Sequence, residues 1–63
     1  MDEKQQKQAE HWLTEFTALS EKFFDEGDKK LSEYWKGQVM GICKMADLVN
    51  SKIDTRYYLN QLP

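Results

Sequence analysis

Disulfide and metal staples are missing from this chain. Its 63 residues include one cysteine, Cys43, and one histidine, His11. A single thiol closes no internal disulfide, and one cysteine with one histidine falls short of the four ligands of a structural zinc site. Neither a metal nor any other cofactor is therefore expected. The only proline is Pro63, so nothing before it breaks a helix by proline. No apolar run approaches the ~18 residues of a membrane span, which argues against a membrane partner. The opening Met1-Asp2-Glu3-Lys4 is acidic and polar and lacks the basic and apolar regions of a secretory leader. A lone thiol also fits a reducing compartment, so a cytoplasmic location is expected. The formal net charge of -2 gives no sign of the strongly basic surface that nucleic-acid binding normally requires.

What is present points to a folded helical domain. The hydrophobic fraction is 40%, with two tryptophans, three tyrosines and three phenylalanines, more aromatic content than a disordered chain carries. One turn stands out: Gly27, in Phe24-Asp25-Glu26-Gly27-Asp28, suits the position just past a helix C-terminus, and Asp28 suits the next N-cap. Helix 1 is expected over about 3–26 and the turn at 27–28. Helix 2 is expected over about 29–60, bent or broken near Asn50. The whole, 1–63, reads as one all-α domain, an antiparallel helical hairpin.

Periodicity supplies a candidate core. In helix 1, Trp12, Phe16, Leu19 and Phe23 recur at four-three-four, with Ala9 before them and Leu13 and Phe24 widening the face. The polar residues 2–8 have nothing to pack and are expected to fray. In helix 2, Trp35, Val39, Ile42, Ala46, Val49 and Ile53 form a seam at four-three-four-three-four. Gly37 and Gly41 fall inside this helix, each costing about 1 kcal/mol relative to alanine. Close packing against a ring such as Phe16 is the expected compensation.

Helix 2 has more apolar surface than one neighbour covers. Leu31, Tyr34, Met40, Cys43, Met45 and Leu48 lie beside the seam, and Tyr57, Tyr58, Leu59 and Leu62 follow. A helix apolar beyond one stripe is buried on more than one side. A chain this short hides only about 60% of its unfolded surface. With two staples absent, oligomerisation is the one left. Two hairpins pairing into a four-helix-bundle homodimer are the favoured solution. A third helix folding back to close a monomeric bundle is the alternative.

Few residues suggest chemistry. His11 has Glu15 at i+4 but no second histidine or glycine-rich loop, and reads as a surface side chain. Cys43 reads as a small buried hydrophobe, because a reactive thiol needs exposure and positive charge. The acidic residues Glu21, Asp25, Glu26, Asp28 and Glu33 interleave with Lys22, Lys29 and Lys30. The pairs Lys22–Glu26, Asp25–Lys29 and Glu26–Lys30 suggest a salt-bridged hairpin tip. The chain is read as a non-enzyme. The best binding candidates are Arg56, Tyr57, Tyr58, Leu59 and Leu62, with Met40, since arginine and tyrosine are enriched at interface hot spots. The competing reading packs Tyr57 and Leu59 on Trp12 and Leu13.

The segment Glu33-Tyr34-Trp35-Lys36-Gly37-Gln38-Val39-Met40-Gly41-Ile42-Cys43-Lys44-Met45-Ala46 reads aromatic-x-Gly-x-x-x-Gly-Ile-x-x-x-Ala. It resembles small helical accessory proteins of the early region of temperate lambda-like bacteriophages. The resemblance implies a regulator or adaptor acting on a host protein. The alternative is a small dimeric nucleic-acid-binding regulator using Lys52, Arg56 and the tyrosines.

Overall fold

The computed structural model describes residues 2–63; Met1 lies outside the described residues. Three helices follow in order: α1 (Glu3–Asp25), α2 (Lys29–Leu48) and α3 (Thr55–Leu59). The chain is all-helical. The two long helices pack antiparallel as a hairpin, in a body of 37 × 17 × 16 Å.

Local chemistry sets the ends. Asp2 caps α1: its carboxylate accepts from the Gln5 N–H at 2.7 Å, and the Gln5 side chain accepts from the Asp2 N–H at 3.3 Å. This reciprocal box places the segment expected to fray inside α1. At the other end Gly27 takes φ 82°, the Asp28 N–H donates to Phe23 O at 2.9 Å, and the Gly27 N–H donates to Phe24 O at 3.1 Å. That is a Schellman motif. Asp28 then caps α2 through the Leu31 N–H at 3.1 Å.

The same motif recurs at the end of α2, with asparagine in place of glycine. Asn50 has φ 52°, the Ser51 N–H donates to Ala46 O at 3.0 Å, and the Asn50 N–H donates to Asp47 O at 3.2 Å. Asparagine is among the few residues that tolerate this left-handed conformation. Helix 2 therefore ends at Leu48 instead of running to about 60. Residues 55–59 form a separate helix capped by Asp54, whose side chain accepts from the Tyr57 N–H at 3.2 Å.

On α1 the core lies one residue round from the expected Trp12, Phe16 and Leu19, at Leu13, Thr17 and Ser20, while Ala9 and half of the seam expected in helix 2 are core as expected. Its centre is Ala9, Leu13, Val39, Cys43, Ala46 and Ile53, with Leu13 and Val39 fully enclosed. Towards the turn it becomes small and polar, with Thr17, Ser20 and Ser32 buried. Ser20 Oγ donates to Ser32 O at 2.9 Å, and Ser32 Oγ donates to Ser20 O at 2.8 Å. Small side chains let the helix axes approach, and reciprocal bonding removes the penalty of burying the two serine hydroxyls, whereas Thr17 Oγ1 is buried without a partner among the described residues. Of the expected core, Val39, Ala46 and Ile53 are buried. Phe16, Leu19, Phe23, Trp35 and Ile42 are half-buried, and Trp12 and Val49 are exposed. Indole and phenyl rings are too large for the line of closest approach and fall to its side.

Candidate interaction surface

The C-terminal segment closes one flank of the hairpin. Thr55 Oγ1 donates to Asp47 Oδ1 at 3.0 Å, the Cys43 thiol donates to Thr55 O at 3.8 Å, and Lys36 Nζ donates to Pro63 O at 3.4 Å. Lys36, Cys43 and Asp47 share one side of α2, so residues 53–63 lie along that side. Ile53, Tyr58 and Leu62 pack onto the core from there.

Among the described residues, nothing covers the opposite flank. Met45 is two residues from both Cys43 and Asp47, hence nearly diametric to them at 100° per residue. A groove of about 800 Å³ runs there between α1 and α2. Ala9, Ile42 and Gly41 are among the residues lining it, with Trp12, Met45 and Val49, and its polar lining comes from Gln5, Gln8 and Gln38. No charged residue lines it. Further along, Phe16 stacks on Trp35 with ring centroids 4.9 Å apart, and Tyr34 meets Trp35 edge-on at 4.9 Å. The groove on the covered flank differs in kind, being lined by Glu3, Gln6, Lys7, Glu10, Asn50, Ser51 and Lys52.

The exposures on the open flank are large. Trp12, Leu31, Tyr34, Met45 and Val49 are each between 41% and 59% exposed. At roughly 200 Å² per large side chain, that leaves about 500 Å² of apolar surface in water. The chain's total accessible area is 4781 Å², against about 4,250 Å² for a folded monomer of its size.

The two glycines point to the same flank. A Cβ built at Gly37 or Gly41 meets nothing within 4 Å. The expected packing of these glycines against Phe16 is therefore absent, and no close neighbour among the described residues accounts for them.

The residues singled out for binding divide. Tyr57 (58% exposed), Leu59, Arg56 and Met40 face solvent, whereas Tyr58 and Leu62 are half-buried against the core. Tyr57 stacks edge-on against Tyr58 at 5.2 Å and does not pack on Trp12 and Leu13. His11 is exposed. Cys43 is buried, and that burial, with the Asp47 charge second, pushes its thiol above the usual range. The expected ion pairs of the hairpin tip do not form: Lys22 lies over the Phe23 ring at 5.6 Å. The turn at Gly27 separates Asp25 and Glu26 from Lys29 and Lys30. Among the described residues, the one ion pair is Lys7–Glu3 at 3.5 Å. No group of acidic, histidine or cysteine side chains there could hold a metal ion, and no helix is long and apolar enough to cross a membrane.

What the sequence reading missed was the grouping of its own residues. Trp12 and Trp35, expected in the core, lie on the open flank with Leu31, Tyr34 and Met45, whereas Phe16 on that side is half-buried and packs against the core. No family model matches the chain, and neither a curated protein nor a solved structure matches it significantly.

Proposed function

We propose that this protein is a non-enzymatic interaction module that works as a homodimer. Two hairpins bury their open flanks against each other and form a four-helix bundle. The observation that carries this is the uncharged apolar flank around Trp12, Tyr34 and Met45, left in water by a chain whose other flank is closed by its own C-terminus. The largest apolar patch on a typical monomer is about 300–600 Å² and is often functional. A standard interface takes about 800 Å² from each partner. The large exposed residues supply more than half of that, and the half-buried Phe16, Leu19, Phe23, Trp35 and Ile42 border them. A chain with net charge -2 meets its own copy there without opposing like charges.

Cys43 supports the non-enzymatic reading, because a buried, protonated thiol is neither nucleophile nor ligand. The resemblance of the segment around Gly37 and Gly41 to small phage-encoded helical proteins supports a regulator or adaptor whose dimer acts on a host protein, and the lone thiol supports a cytoplasmic location. Sedimentation equilibrium between about 1 and 100 µM tests the dimer, because affinities in that range mark a specific weak-to-moderate association. A mass twice that of the chain is expected. A single-chain mass throughout that range removes the proposal.

A further inference from the structure

The open flank contains a pattern that specifies how the second copy lies. On α2, Leu31, Tyr34, Gln38, Gly41, Met45 and Leu48 recur at three-four-three-four-three, and all six are exposed. This is a heptad seam distinct from the one that faces α1. None of its six positions is charged. The spacing is also palindromic, so a second α2 turned end for end matches every position.

We infer that the homodimer forms by antiparallel pairing of α2 with α2 of a second copy, about a two-fold axis between Gln38 and Gly41. This rests on the dimer proposed above and adds its orientation and register. In that register Leu31 lies opposite Leu48 of the other copy, Tyr34 opposite Met45, and Gln38 opposite Gly41. Each pair sums to 79, as a two-fold axis requires of a self-complementary interface. Large apolar residues meet at the outer layers. At the centre the longest uncharged polar side chain meets the position with no side chain.

Gly41 acquires a purpose in this arrangement. Nothing stands within 4 Å of a Cβ at Gly41, and that space takes Gln38 of the second copy. A single polar layer in an apolar seam sets register, and the two symmetric Gln38 amides lie close enough to the axis to do so. Tyr34 of the second copy comes down beside Met45, onto the groove that Trp12, Ile42 and Val49 help to line. Tyrosine anchored against tryptophan in a desolvated pocket is the usual chemistry of an interface hot spot. An amphipathic helix of a different protein is the rival occupant, and a native chain that stays monomeric would favour it.

Charge substitution at one matched pair tests this. Tyr34→Lys and Met45→Glu each place a charge in the seam at a position already exposed in the single chain, so circular dichroism is expected to show unchanged helicity. Each alone is expected to raise the dimer dissociation constant on the order of a hundredfold, since a desolvated unpaired charge costs several kcal/mol. The double variant Tyr34→Lys/Met45→Glu is expected to recover to within about tenfold of the native value, because opposite charges then meet across the axis. Within one helix these residues are 11 positions, about 16 Å, apart, so recovery cannot come from pairing inside a chain. A parallel pairing sets like against like and gives no recovery. Three outcomes overturn the inference. A native chain that stays monomeric removes the dimer and its register together. A native dimer whose single variants do not dissociate removes this seam as the interface. A native dimer whose double variant stays as dissociated as the singles removes the register and leaves the dimer standing.

Discussion

The two flanks of the hairpin are built to different ends. On one, Thr55, Cys43 and Asp47 bond to each other and Ile53, Tyr58 and Leu62 fold down onto the core. On the other, Trp12, Tyr34 and Met45 stay about half in water with no charge among them. Both flanks carry apolar residues at helical spacing. The difference is that the closed flank has bonded polar groups between its apolar ones, and these fix one geometry. The open flank offers area without bonds of its own, which suits a surface completed by something else.

The largest expected contrast is between neighbours. Leu13 is fully enclosed and Trp12 is 46% exposed. Leu13→Ala should cost about 3–4 kcal/mol in urea unfolding. Trp12→Ala should cost about 1 kcal/mol or less when both are measured in the Met45→Glu background at low concentration, since changes at exposed sites are usually small. Equal costs would mean that the open flank is core after all.

The polar end of the core comes next. Ser20→Ala should cost about 1–2 kcal/mol, and so should Ser32→Ala, as each removes a buried hydrogen bond. The hydroxyls are 3.4 Å apart and each bonds to the other residue's carbonyl, so the double variant should depart from additivity by about 0.5 kcal/mol or more. Additive costs would show that the two side chains act independently. On the closed flank, Asp54→Ala removes the cap of α3 and should cost about 1 kcal/mol. Amide exchange should quicken over residues 55–59 and leave α1 unchanged. Faster exchange throughout would show that the closing segment holds the whole hairpin together.

The smallest effect is one of pH. Burial raises the Cys43 thiol above its ordinary 9.0, with Asp47 adding to it. From pH 9.0 upward the unfolded chain gives up this proton while the folded chain keeps it. The folded state then binds more protons, so stability falls as pH rises through that window. Below 9.0 the thiol is protonated in both states and contributes no slope. Comparison with Cys43→Ala isolates the effect from that of tyrosine and lysine, and the variant should show the shallower decline. An identical decline would mean that Cys43 is open to water.

Much of the fold was readable from residues alone. The turn at Gly27, the cap at Asp28 and two long helices follow from side chains whose preferences act within four or five positions. The stop at Asn50 was harder. Asn50 marks a bend or a break, but Val49, Ile53 and Tyr57 keep a helical period straight through it, and the left-handed backbone at Asn50 with the cap at Asp54 decides for a break. The core was displaced for a related reason. Hydrophobicity singles out Trp12 and Phe23, whereas the close approach of two helices selects Ser20, Ser32 and Ala46 by size.

By itself the sequence determined that the chain is helical, where it turns, and that it owns more apolar surface than one helix pair can cover. These properties depend on local propensity and on totals. Only the tertiary structure decided which apolar residues lie inside and which outside. That choice depends on the distance between helix axes and on which flank the C-terminal segment occupies. Both are set by contacts between residues far apart in the chain, such as Ser20 with Ser32 and Asp47 with Thr55.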